Sequence, residues 1–258
     1  WPVPAVPAEV WQRLPEANGD LEQAALHYYG STALPVPGSQ WAIQQLPTLF
    51  SRRRVMLAQE SYEEYRFWWQ QQGHHLETFN TLPDATQLHE RDIVIVINPN
   101  NPTAQQHSPQ RLQQLANELQ QKSGWLIVDE AFMDATPEYS LLPSTQPDQN
   151  IVVLRSLGKF FGLAGIRTGF VLGNAAIQST LQKNLGPWAI SHPAQWIATQ
   201  ALTDTQWHTL QRQRLLRASA YLHSLLAEYF SADTLTATPL FVGVKLDSDT
   251  TAQRWQQF

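Results

Sequence analysis

A lysine can join a carbonyl compound as an imine only after losing its proton, and SLGKFFGLAGIRTGF (156–170) sets Lys159 where that loss is favoured. Lys159 follows an apolar run, sits in a loop of Ser and Gly, and precedes Arg167 by eight residues. A nearby guanidinium disfavours a second positive charge, and Ser156 offers a hydroxyl to an anion in the same loop. By itself Lys159 reads as a solvated lysine in a glycine loop, so the reactive reading needs companions. Asp129 ends the apolar run in WLIVDEA (125–131), where ligands of open α/β sheets bind. A carboxylate there needs a cationic partner, unless it is only a capping or loop Asp. The pyridinium nitrogen of pyridoxal 5'-phosphate is such a cation, and an acid facing it keeps it protonated so that the ring can accept electrons from a carbanion. NPNNPT (98–103) follows another apolar run. Turn chemistry alone explains those Asn and Pro residues, yet the Asn101 amide can donate to a ring phenolate if the two strands are neighbours. PGSQWAIQQL (37–46) opens a helix with Gly and Ser, leaving free N–H groups and a helix dipole that suit a phosphate. In SYEEYRFWW (61–69), Tyr62 is the candidate plate for a planar cofactor, whereas Tyr65, Phe67, Trp68 and Trp69 read as including core packing residues.

These residues need a scaffold, and the chain alternates apolar runs with helical patterns as an α/β domain with a largely parallel sheet does. RRVMLA (53–58), HLETF (75–79), DIVIVIN (92–98), WLIVDEA (125–131), NIVVLRS (150–156) and TGFVLGN (168–174) read as strands. Leu112, Leu115, Ala116 and Leu119 mark a helix with Ser108 as N-cap, Pro109 at its first position and Gly124 beyond its end. From Pro193 the pattern is helical, and Leu210, Leu215, Leu222, Leu225 and Leu226 predict one long helix ending near Phe230. LTATPLFVGVKL (235–246) reads as strand, and TTAQRWQQF (250–258) as the start of another helix. The expected organisation is an N-terminal segment (1–30), a large three-layer α/β/α domain (31–205), and a linking helix with the start of a smaller α+β domain (206–258) that the sequence cuts off.

NPNNPT, VDEAF and SLGKFFGLAGIRTG occur in the order and at the separations found in fold-type I PLP-dependent enzymes, and the region from about Gly38 to Gly173 resembles the class I and II aminotransferase family. Within that family, DEAFMD and RSLGKFFGLAGIR are similar to the histidinol-phosphate aminotransferase-like branch. WPVPAVPAEVWQRLPE and GPWAISHPA resemble the decarboxylases of bacterial cobalamin biosynthesis in that branch more than its histidine-pathway enzymes. The resemblance implies pyridoxal 5'-phosphate as cofactor, Lys159 as Schiff-base lysine and later proton carrier, Asp129 as partner of the pyridine nitrogen, and Asn101 as donor to the ring oxygen. It further implies Ser156 and Arg167 as phosphate ligands, Ser39 and Gln40 as the backbone cup for the same phosphate, and Tyr62 stacked on the ring. Phe132 stands where most transaminases of the group carry a Tyr, so one donor to the ring oxygen is lost. Gly158 replaces the usual hydroxyl residue before the lysine. Leu14 lies near the place where related enzymes present a Tyr from the partner subunit. The implied assembly is a homodimer, and the implied substrate a small phosphorylated amino acid or amino alcohol. Ligands for its carboxylate and phosphate are expected in terminal parts outside the sequence. The bond at Cα held perpendicular to the ring is the one that breaks, so a carboxylate there leaves as CO2 and a hydrogen there leads to transamination. The motifs do not choose between the two.

Composition narrows the alternatives. With 258 residues, 43% of them hydrophobic and including ten Trp and ten Phe, the chain can bury a large core. No apolar run approaches the roughly 20 residues of a membrane span, and the start lacks the order of a secretory signal. The absence of Cys excludes disulfides and thiolate metal sites and suits a cytoplasmic protein. A net charge of −5 without basic clusters argues against a nucleic-acid surface and against a PLP-fold sensor in a transcription factor. His74 and His75 are adjacent and not at helical ligand spacing, so no metal site is expected. His107, Trp188 and His192 receive no role.

Overall fold

A computed structural model of the chain describes residues 1–15, 19–248 and 251. Its strands are β1 (Ala33–Val36), β2 (Arg54–Ala58), β3 (His75–Phe79), β4 (Ile93–Ile97), β5 (Trp125–Asp129), β6 (Ile151–Ser156), β7 (Gly169–Gly173), β8 (Leu235–Ala237) and β9 (Val242–Val244). Its helices are α1 (Ala8–Gln12), α2 (Asp20–Tyr29), α3 (Ser39–Gln45), α4 (Glu63–Gln71), α5 (Pro109–Gln121), α6 (Ala175–Leu185), α7 (His192–Thr203) and α8 (Thr205–Leu226). The six runs read as strands of a large sheet all lie in it, and β1 joins them as a seventh, in the order β1-β7-β6-β5-β4-β2-β3. Only β7 runs against the other six, because it pairs antiparallel with both β1 and β6.

Alternation along the strands builds two cores. Val94, Val96, Leu126, Val128, Val153 and Leu172 pack with α2, α5 and α7 on one face. Ile93, Ile95, Ile97, Ile127, Val152, Leu154 and Val171 pack with α3, α4 and α6 on the other. Each such side chain stabilises by roughly 1.5–3 kcal/mol relative to exposure. A one-residue slip would exchange the two sets, so the pattern fixes register. Helix α5 starts as read: the Ser108 hydroxyl accepts from the Arg111 N–H at 3.2 Å, with Pro109 at the first position. No described helix is long and apolar enough to cross a membrane.

The C-terminal part differs from the reading. The helical stretch breaks at Asp204, whose carboxylate caps α8 through the Trp207 N–H. Leu210, Leu222 and Leu225 of α8 are exposed, and of the leucines read as its stripe Leu215 packs against the core. The run 235–246 folds as the antiparallel hairpin β8-β9 and not as one strand, because the Thr238 hydroxyl accepts from Leu240 and Phe241 N–H and turns the chain. The helix expected over 250–258 lies, apart from Thr251, outside the described residues.

Gly169 lets α3 approach the sheet. A Cβ there would stand 2.6 Å from the Ser39 nitrogen and 2.8 Å from the Arg155 carbonyl oxygen, both backbone atoms. Gly169→Ala is therefore expected to cost about 1–3 kcal/mol. In thermal unfolding that is roughly 2–4 °C per kcal/mol for a chain of this size. An unchanged midpoint would show that the backbone there yields freely.

Candidate active site

Strand ends on the α3 and α4 side of the sheet surround a cavity of about 330 Å³. All nine residues singled out from the sequence line it: Ser39, Gln40, Tyr62, Asn101, Asp129, Phe132, Ser156, Lys159 and Arg167. They converge because β4, β5 and β6 are parallel neighbours, with Ile97 opposite Asp129 and Asp129 opposite Leu154. Their C-terminal ends, and the loops after them, open at one edge. His107, Trp188 and His192 are not among the lining residues. Trp188 and Leu14 are exposed.

One end of the cavity is built for an anion. Gly38 has φ 75°, and its missing side chain leaves room for the Arg167 guanidinium, whose Nη2 would lie 3.0 Å from a Cβ. Helix α3 begins there at Ser39, so its free backbone N–H groups and a cation share one spot. Arg167 itself adopts φ 52°, a conformation that costs about 1–3 kcal/mol outside glycine and that points to a functional constraint. Among the described residues neither Arg167 nor Lys159 is within ion-pairing distance of a carboxylate. The Ser156 hydroxyl, also in the cavity, accepts from the Gly158 N–H at 3.2 Å.

The other end holds a buried acid. The Asp129 carboxylate accepts from the Tyr65 hydroxyl at 2.8 Å and from the Ala131 N–H at 2.9 Å, two neutral donors and no contacting cation. Burial raises its pKa, against the Ala131 and Tyr65 hydrogen bonds and the charge of Lys159. Tyr65 is the residue that the sequence reading left among packing groups. Its own pKa is raised well above normal, by burial and then by the Asp129 charge, so its phenol stays a donor. The available signal was its place one turn after Tyr62 and one turn before Trp69, on the buried face of α4, where a tyrosine hydroxyl needs a partner. Glu64 was also missed: it lines the cavity, takes hydrogen bonds from the Gln40 amide and, at 2.9 Å, from the Trp68 indole. Gln40 in turn accepts a long bond, 3.4 Å, from Tyr62, whose pKa burial and the charges of Glu64 and Asp129 raise.

Lys159 places its Nζ 5.0 Å from the centroid of the Phe132 ring. That ring meets Phe241 edge-on, with centroids 5.0 Å apart. The amine thus lies against apolar surface in the cavity that the anion cup and the acid share.

Tyr65→Phe keeps the packing and removes one donor from Asp129. The expected loss of stability is about 1–3 kcal/mol at pH 7. It should shrink as pH falls through the carboxyl's raised pKa, where the group protonates and the donor no longer favours its charge. Chemical denaturation at pH 7 and at stepwise lower pH measures this. Equal losses would mean that the hydroxyl does not act on the charge.

The fold and the cavity define the class, an α/β domain of the type found in PLP-dependent transferases. The chain belongs to the aminotransferase class I and II family, which it matches over residues 14–257. It is 44% identical over 233 residues to a threonine-phosphate decarboxylase of Pseudomonas aeruginosa, a match that covers 89% of this chain and 70% of that protein. In structure it is similar to L-threonine-O-3-phosphate decarboxylase from Porphyromonas gingivalis (TM-score 0.77, 20% identity, 97% of this chain and 82% of that one). It is similar also to histidinol-phosphate aminotransferase from Sinorhizobium meliloti in complex with pyridoxal-5'-phosphate (TM-score 0.77, 20% identity, 95% of this chain and 71% of that one). At 20% identity both likenesses bear on the fold alone.

Proposed function

We propose that the protein is a PLP-dependent decarboxylase that converts L-threonine O-3-phosphate to (R)-1-amino-2-propanol O-2-phosphate in cobalamin biosynthesis. The observation that carries the cofactor reading is a single cavity joining one lysine amine, an anion cup and a buried carboxylate with no cation in contact. A buried carboxylate without a cation is costly. A protonated ring nitrogen supplies that cation, and a phosphate suits the cup, so the residues fit pyridoxal 5'-phosphate. The 44% identity to a threonine-phosphate decarboxylase supports the choice of reaction.

In this reading the Ser39 and Gln40 N–H groups, Ser156 and Arg167 would hold the phosphate. Asp129 would pair with the ring nitrogen, Asn101 would donate to the ring oxygen, and Tyr62 would pack on the ring. When bound, pyridoxal 5'-phosphate supplies an electron sink for charge left at the substrate's Cα. Lys159 would hold the cofactor and would return a proton to the substrate's Cα, while Phe132 would keep water from its amine. The Cα–carboxylate bond breaks, CO2 leaves and that proton takes its place. Exposed Trp11, Leu14 and Trp188 suit a homodimer, and a chain without cysteine suits the cytoplasm.

The alternative is an amino transfer to a keto acid by the same residues, in keeping with the chain's place in the aminotransferase class I and II family. Adding O-phosphothreonine to the cofactor-loaded protein and measuring CO2 separates the two. CO2 release that Lys159→Ala abolishes is the expected result. Transfer to 2-oxoglutarate without CO2 would overturn the decarboxylase reading and leave that of the cofactor intact.

A further inference from the structure

Helix α8 meets the cavity's walls at two levels. Its outer half carries the β8-β9 hairpin, where the Ser219 hydroxyl donates to the Thr238 carbonyl at 2.6 Å. From that hairpin Phe241 reaches the Phe132 ring, and Gly243 lies so close to the NPNNPT loop that a Cβ would stand 3.0 Å from the Pro102 carbonyl oxygen. Its inner half lies under the lysine loop. Phe160 and Phe161, the two residues after Lys159, contact Trp207 at centroid distances of 5.2 and 5.7 Å, and Phe161 meets His208 at 5.4 Å.

Arg212 lies between these levels. Its Nε donates to the Asp134 carbonyl at 2.9 Å, its Nη2 donates to the Tyr28 hydroxyl at 3.1 Å, and its Cζ stands 5.3 Å from the centroid of the Phe160 ring. Asp134 is two residues beyond Phe132, and Phe160 is the neighbour of Lys159. One guanidinium therefore binds both segments whose meeting puts the Lys159 Nζ on the Phe132 ring. Arg155, which precedes Ser156, bonds the Asp134 side chain and also Glu130, each at 2.9 Å. The Ser156 side of the anion cup thus keeps an anchor on Glu130 that Arg212 does not touch.

We infer that Arg212 is a positioning residue: acting through Phe160 and the Asp134 backbone, it sets where the Lys159 amine stands against Phe132. A lysine side chain has four rotatable bonds and reaches its reaction geometry only if its base and its contact surface are both fixed. The planar fork of an arginine gives two hydrogen bonds and a ring contact at set angles, whereas a lysine in its place keeps only the charge. A misplacement of about 1 Å lowers such rates on the order of a hundredfold.

The inference rests on the proposed attachment of the cofactor at Lys159, and the test separates the two. Apo-protein is mixed with pyridoxal 5'-phosphate, trapped with borohydride at intervals, and the Lys159 peptide is weighed by mass spectrometry. In parallel, the affinity for 4'-deoxypyridoxine 5'-phosphate, which has the phosphate and ring but no aldehyde, is measured by tryptophan fluorescence. Arg212→Lys is expected to slow attachment roughly ten- to a hundredfold and to leave the analogue's affinity unchanged. In Arg212→Ala, added guanidinium is expected to restore part of the attachment rate. Unchanged attachment in folded Arg212→Lys would overturn the inference, and so would a parallel fall in rate and analogue affinity, which marks a general loss of structure. Should Arg212→Ala not fold, Arg212→Lys decides alone. If the parent protein itself shows no adduct at Lys159, it is the cofactor reading that fails.

Discussion

Lys159→Ala is expected to lose the visible absorption of the cofactor-loaded protein and to lower turnover by about 10⁴-fold or more, since both the covalent and the proton-transfer contributions of one group are removed. Among the described residues no other one lining the cavity carries a primary amine, so none of them can substitute. Lys159→Arg sharpens the result. It keeps a positive charge near Asp129, whose carboxylate the Lys159 charge already favours, but a guanidinium cannot form the imine. If Arg restores the absorption or turnover, the charge matters and the nucleophile does not. If both variants lose them and still bind 4'-deoxypyridoxine 5'-phosphate, the amine itself is the attachment point. A band that persists unchanged in Lys159→Ala would end the reading.

The central strands were legible because each is short, apolar throughout and bounded by turn residues, as strands covered on both faces must be. Strand β1 escaped because Ala33–Val36 is only four residues long, follows a helix after Gly30 and contains Pro35. A proline is tolerated there since β1 is an edge strand, paired only with β7. Helix α8 misled for the opposite reason: its leucines recur at helical spacing, but Leu210, Leu222 and Leu225 are exposed while Leu215 packs against the core, and only His208 of the helix is fully buried. Periodicity reports an apolar stripe and not what lies against it.

The site followed the same division. Residues at strand ends could be placed from order alone, because parallel neighbours bring their C-terminal ends to one edge. Groups that act through another residue left no local trace. Tyr65 looked like packing, and it is packed, but its hydroxyl serves Asp129. Arg155 sat unremarked in an apolar strand, although an arginine inside such a run must be paired. It bonds Glu130 and Asp134, each at 2.9 Å, on the sheet face opposite Asp129 and Ser156. Burial pushes the Asp134 carboxyl up to about 6 despite Arg155 and Arg212, a measure of how much desolvation that network carries.

Asp129→Asn is expected to act in opposite directions on the empty and the loaded protein. In the apo-protein the carboxyl's pKa is raised by burial above its unfolded value of about 3.9. The contribution of such a group to stability is fully present below the unfolded pKa and is lost as pH rises through the folded one. At pH 7 the buried acid is therefore a liability. An Asn keeps an acceptor for the Ala131 N–H and can donate to the Tyr65 oxygen, without a charge to desolvate. The apo variant should unfold at the same temperature as the parent or higher at pH 7, with the gap closing near pH 4. With the cofactor the order is expected to reverse, because in the proposed reading the cationic ring nitrogen loses its partner. Breaking a buried pair costs about 3–5 kcal/mol, which is about two to three and a half decades in turnover. Thermal unfolding with and without pyridoxal 5'-phosphate at the two pH values, beside a rate assay, reads both signs. A variant already less stable without cofactor would mean that Asp129 serves the Tyr65 bond as a structural acid. Instability confined to the loaded form at pH 7 means that the acid is kept ionisable in the core for a cation that arrives with the ligand.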